Sequence, residues 1–206
     1  MNKIRPALAS FLALLLLATS TLGLGQADYL REKKKRAAAA AGGGGGTSNC
    51  GYSPATPGSA DGNNANVAFA TPCTTGSDSN GYSVSAIWMY VDTSAAPPLK
   101  LGVYANSSGV PTGSAICSAS IASPVFQWNS TTITGCGTLS ANTTYWIADI
   151  SSSNTDPLEG VDTGNCPGFA FASQFVSVGS FNLPTTWTGV ATAGECVAQY
   201  IVITGL

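Results

Sequence analysis

From Cys50 onward the apolar residues come in runs too short for helices, and turn formers separate the runs. This pattern constrains the fold more than any other feature. The runs are Asn66–Ala70, Tyr82–Asp92, Leu99–Ala105, Ala115–Ala122, Val125–Thr132, Thr144–Ser151, Ala170–Val176 and Cys196–Ile203. They are rich in β-branched and aromatic residues. Stretches such as 106–113 and 152–157 between them are rich in Gly, Ser, Asn and Pro. Strands of this length with regular turn signals make a sandwich or a barrel. No stretch after residue 47 keeps a helical period. The expectation is an all-β, two-sheet antiparallel sandwich with at least seven strands between Asn66 and Ile203. In Tyr82–Asp92, Val84, Trp88 and Tyr90 alternate with Ile87, Met89 and Val91, so both faces are apolar and the strand is expected to be central. Roughly 160 residues can bury a core unaided.

The N-terminus has a different texture. Lys3 and Arg5 precede an apolar run, Ala7–Ala18, and Gly25 and Ala27 stand at minus three and minus one of a cleavage point. This layout predicts a secretory signal peptide over residues 1–27. A membrane anchor is the alternative, but a spanning helix needs roughly 20 apolar residues. With no second apolar stretch, no transmembrane segment is expected after cleavage. Residues 28–46 are basic over Arg31–Arg36, then five Ala, then five Gly. They read as a flexible linker. A contact between the basic stretch and an acidic cell envelope is the second reading. Residues 47–206 form the expected domain, secreted or held at the cell surface.

That domain carries one cation, Lys100, against eight carboxylates, a formal charge of −7. Such a surface cannot neutralise a phosphate backbone, so nucleic acid is not an expected partner. The six cysteines, Cys50, Cys73, Cys117, Cys136, Cys166 and Cys196, all lie in this domain. They read as up to three disulfides of an exported protein. Zinc is not expected, for want of clustered Cys and of any His. A tight connection at Ser123-Pro124 would make two strands antiparallel neighbours, and a curl at Gly135 and Gly137 would bring Cys136 back to Cys117. Cys166–Cys196 and Cys50–Cys73 are then the remaining pairs, although swaps among those four are equally allowed.

Histidine-dependent triads are excluded because the chain has no His. Lys100 reads as the solvent-facing end of a strand. With no Arg in the domain, anionic transition states lack their usual clamp. Acid chemistry remains: paired carboxylates hydrolyse glycosides. The densest acids are Asp156, Glu159 and Asp162, with Asp149 just before them. Nothing in the sequence sets two of them across a sugar, so no catalytic residue is expected. The same loop is a candidate Ca²⁺ site, since it offers carboxylate and carbonyl oxygens without an EF-hand spacing. Its plainer reading is a solvated acidic loop. No other cofactor is expected. Trp88 and Trp146 sit in strong strand patterns and read as core. Trp187, after Pro184-Thr-Thr, and Tyr82 are the candidate ligand-facing rings, because sugars stack on aromatic faces. A loop Trp also serves commonly as a cap on the core.

The run Leu101-Gly-Val-Tyr-Ala-Asn-Ser-Ser-Gly-Val-Pro-Thr-Gly-Ser114 resembles a recurring bacterial pattern. In that pattern a strand ending in Leu/Ile-Tyr enters a turn with Gly-x-Pro-Gly; here Thr112 separates Pro111 from Gly113. Trp128 resembles a Trp in a following strand of that family. Leu139-Ser-Ala-Asn-Thr-Thr-Tyr-Trp146 is similar to its third signature. The family comprises jelly-roll-like β-sandwich modules of secreted, cell-surface and phage proteins, similar in outline to carbohydrate-binding modules. The resemblance implies a fold more than an activity, with Gly109 and Gly113 serving turns and Tyr145 and Trp146 a buried strand. It points to bacteria, so the acceptor triplets at Asn106, Asn129 and Asn142 are expected to stay bare. The function expected is a non-catalytic extracellular binding or adhesion module for a glycan or a surface protein. A self-assembling subunit of an extracellular filament or coat is the alternative, and a carboxylate-dependent glycoside hydrolase the lesser one.

Overall fold

The structure is a computed structural model that describes residues 46–54, 61–62, 65–91, 97–153, 157–158, 162–163, 173–192 and 195–206. The expected signal peptide and residues 28–45 of the linker lie outside them. The described residues contain strands and no helix. The strands are β1 (Thr47–Gly51), β2 (Asp61–Gly62), β3 (Val67–Thr74), β4 (Tyr82–Val91), β5 (Leu99–Ser107), β6 (Val110–Ile121) and β7 (Gln127–Thr132). They continue with β8 (Thr144–Ser151), β9 (Pro157–Leu158), β10 (Asp162–Thr163), β11 (Gln174–Ser177), β12 (Ala191–Thr192), β13 (Glu195–Cys196) and β14 (Gln199–Gly205).

The long strands form two antiparallel sheets packed as a sandwich. The first runs β1-β14-β4-β7, with β9 and β2 joined at the end of β4. The second runs β12-β11-β3-β8-β5-β6. Successive long strands alternate between sheets, except for the β5–β6 hairpin. Among β1, β3, β4, β5, β6, β7, β8 and β14, the first sheet holds the first, eighth, third and sixth. The second holds the second, seventh, fourth and fifth. This wrapping is the jelly-roll connectivity.

The core lies between the sheets. Ile87, Met89 and Val91 of β4 and Ile201 and Ile203 of β14 face Leu99, Leu101 and Val103 of β5 and Ile147 of β8. Each of these β-branched or long aliphatic chains contributes about 1.5–3 kcal/mol when fully buried. The strand β4 is central, as its two apolar faces imply. Its inner face differs from strict alternation, however. Ala86 pairs with Val202 and Val84 with Ile203, so Ser85 is an extra residue in a bulge. Tyr82 and Val84 therefore turn inward with Ile87, rather than outward with Trp88 and Tyr90.

The turn expected over 106–113 is shorter than its composition implies. Strand pairing reaches Ser107 and Val110, leaving Ser108 (φ 53°) and Gly109 (φ 84°) as a two-residue turn. Left-handed backbone at both positions matches the twist of a hairpin. Pro111 lies within β6, and Gly113 (φ 68°) sits where the β5–β6 register shifts.

Cys50–Cys73 and Cys117–Cys136 are disulfides, with Cα atoms 5.1 Å and 4.7 Å apart. The first joins the two sheets, from β1 to β3, and the second ties β6 to the segment after β7. The hairpin expected between the strands at 115–122 and 125–132 does not exist. The strand β6 pairs with β5, and β7 pairs with β4 in the opposite sheet. The Cys117–Cys136 pair forms because the chain crosses between sheets and then curls at Gly135 and Gly137, both left-handed. Cys196 is disulfide-bonded; Cys166, its expected partner, lies outside the described residues. Bonds of this kind persist in oxidising compartments. No helix among the described residues is long and apolar enough to cross a membrane.

Candidate functional site

The two outer faces of the sandwich differ. On the second sheet, the segment 178–190 covers Ala68, Ala70, Tyr104, Trp146, Ala148 and Ile150. Phe181, Leu183 and Trp187 pack down on these small and aromatic residues. Leu183 fits because Gly102 has no side chain; a Cβ there would stand 2.9 Å from Leu183 Cδ1. The Tyr104 hydroxyl donates to Pro184 O at 3.0 Å. Lys100 Nζ donates to Phe181 O and Asn182 Oδ1, and sits 4.7 Å above the Phe181 ring. Lys100 is thus an anchor for the cover rather than a free strand end. Trp187 meets Tyr104 edge-on, with ring centroids 5.1 Å apart. Its indole N–H is buried without an acceptor. Trp187 is half-buried and caps this core, with its indole N–H turned inward. Tyr82 is 2 % exposed; its hydroxyl accepts from Asp78 N, and its backbone pairs with Leu139. It faces the core and offers a ligand no surface.

The first sheet carries rings on its outer face. Phe126, Tyr90, Trp128, Tyr200 and Trp88 form an unbroken series, with successive centroids 6.3, 5.6, 5.1 and 5.8 Å apart. The first three contacts are edge-on, and Tyr200 stacks flat on Trp88 at an interplanar angle of 7°. Register explains the grouping. Trp88 of β4 pairs with Tyr200 of β14, and Tyr90 pairs with Trp128 of β7. Tyr90, Trp128, Trp88 and Tyr200 are half-buried, and Phe126 is 56 % exposed. Tyr90 and Trp128 pack against buried Tyr52, Cys196 and Ala198. Burial raises the Tyr200 phenol above its ordinary pKa of 10.0.

One end of the series is locked by an amide. Asn129 of β7 points inward and is buried. Its Oδ1 accepts from Val125 N at 2.9 Å, while Nδ2 donates to Val125 O at 2.8 Å and to Gln127 O at 2.7 Å. This clamp holds the loop before β7 so that Val125 and Phe126 stand in solvent. Uncharged polar residues flank the rings. Alongside the rings, the register places Ser130 and Thr132 of β7, Thr204 of β14, and Thr47 and Asn49 of β1. No residue of β1, β14, β4 or β7 on this face is charged.

The remaining expected site residues are described only in part. Asp156 and Glu159 lie outside the described residues, and Asp162 is described only as part of β10. No cluster able to hold a metal occurs among the described residues. Asp149 does not belong with that acidic loop. It lies on β8, sealed between the sheets, 0 % exposed. Trp146 is buried as expected, donating from Nε1 to Asn106 Oδ1 at 2.9 Å. Trp88 is on the outer face rather than in the core. A signal for the ring series existed: one face of β4 is aliphatic and the other aromatic.

No family model, curated protein or solved structure matches the chain.

Proposed function

We propose that the domain is a non-catalytic extracellular module that binds neutral glycans through the ring face Phe126, Tyr90, Trp128, Tyr200 and Trp88. The observation that carries this reading is a continuous series of partly exposed rings on and beside strands β4, β7 and β14, whose outer-face residues are uncharged. Sugar C–H surfaces stack on aromatic planes, and neighbouring hydroxyls and amides take the sugar's hydrogen bonds. The disulfides suit secretion, and the resemblance to secreted modules similar to carbohydrate-binding modules points the same way.

The test is a glycan array followed by calorimetry on wild type, Phe126→Ala and Trp187→Phe. A neutral glycan should bind. Phe126→Ala should weaken it about 2- to 10-fold, the value of one aromatic contact, and Trp187→Phe should not. Binding that depends on Trp187 would overturn the assignment of the face. A polymer in electron micrographs, with no glycan bound, would favour the filament subunit.

A further inference from the structure

Asp149 is a carboxyl in the middle of the sandwich, facing the first sheet from β8. Both its oxygens are buried and have no hydrogen-bond partner. Gln199 of β14, in the opposite sheet, is the side chain within hydrogen-bonding reach. A primary amide has two N–H donors, and those of Gln199 are committed. Its Nε2 donates to Ile147 O at 2.9 Å and to Thr71 Oγ1 at 3.2 Å. Thr71 donates onward to Val197 O at 3.1 Å, so Ser173, 3.2 Å from Thr71 Oγ1, donates to Thr71. The Gln199 carbonyl oxygen is itself buried without a donor. The joint between the sheets therefore holds three acceptor oxygens for which no described side chain supplies a free donor. A proton on Asp149 supplies one, and Gln199 Oε1 is its acceptor.

We propose that Asp149 keeps a proton as a structural element of the inter-sheet joint, making the sandwich tightest in acid and looser as the medium becomes alkaline. The flanking strands place Phe69 and Leu101 beside Asp149, and Thr71, Ile147, Gln199 and Ile201 line the same inner face. Among the described residues, no titratable or charged group faces it. The same direction follows from desolvation, which outweighs the lowering influence of the Gln199 side chain and of Asp149's own backbone and pushes the carboxyl from 3.8 up to about 8.

The sign follows from linkage. The folded state holds a proton that the unfolded state releases above its lower pKa. The stabilisation is thus complete in acid below that lower value. It is lost as pH rises from about 4 to about 8. Over the middle of that window the folding equilibrium falls roughly tenfold per pH unit.

Urea titrations of the full chain across this window, on wild type and Asp149→Asn, test the proposal. The amide of the variant supplies the missing donor and cannot ionise. Wild type should lose stability with pH relative to the variant, reaching roughly a thousandfold in the folding equilibrium near pH 7. Parallel curves would overturn the proposal. Should the variant not fold, the infrared carbonyl band of a protonated carboxylic acid in wild type at neutral pH supports the proposal, and its absence overturns it. Stabilisation by added Ca²⁺ that disappears in Asp149→Asn would show a cation in place of the proton, and would also overturn it.

Discussion

Removing Cys117–Cys136 measures how far the sandwich depends on its covalent staples. The bridge closes a loop of 19 residues. In the chain-entropy model its loss frees the unfolded chain by about 3.2 kcal/mol. Both sulfurs are buried in the core between the sheets, so Cys117→Ala with Cys136→Ala also removes packing. The total expected loss is about 3–4 kcal/mol. Cys50–Cys73 closes 23 residues, which the same model values at about 3.4 kcal/mol. The loops 50–73 and 117–136 do not overlap. Removing both pairs should therefore cost about 6–7 kcal/mol, a large part of the 5–15 kcal/mol of a typical domain. The assay is urea denaturation under non-reducing conditions. The m-value should rise as well, because the uncrosslinked denatured chain exposes more surface. A loss below about 1 kcal/mol with an unchanged m-value would refute the reasoning. It would mean that the denatured state stays compact without the bridge.

Gly81 (φ 86°) admits no Cβ, since one would stand 2.5 Å from Leu139 O, the acceptor of the Tyr82 amide. Gly179 (φ 69°) has open space there. Thermal melts should show Gly81→Ala costing about 2–4 kcal/mol and Gly179→Ala only about 1–2 kcal/mol, from backbone conformation alone. Tyr104→Phe removes the donor to Pro184 O and should cost about 1–2 kcal/mol. It should also shift the Trp187 fluorescence as the covering segment loosens.

Local pattern determined where most strands run. Thr144–Ser151 matches β8 residue for residue, and the starts at Tyr82 and Leu99 also hold. The reason is physical: a pleated chain shows its two faces at period two, and burial selects residues at that period. Strand β1 escaped this reading because Thr-Ser-Asn-Cys carries no apolar alternation; it is a strand because the edge of β14 offers it hydrogen bonds. Cys117 and Cys136 were paired through a hairpin that the fold lacks, and they meet because the chain changes sheet between them. What each face looks at was decided by tertiary structure alone. One bulge at Ser85 turned Val84 inward, and no propensity marks that residue as extra. Trp187 faces inward because Gly102 and Tyr104 leave room for the segment that carries it. Trp88, Trp128 and Tyr200 lie far apart along the chain, and only strand register brings their rings together. Asp149 read as one of a group of loop acids. Its place on the inner face, opposite a glutamine from the other sheet, follows from how two sheets stack, and no interval along one chain encodes that.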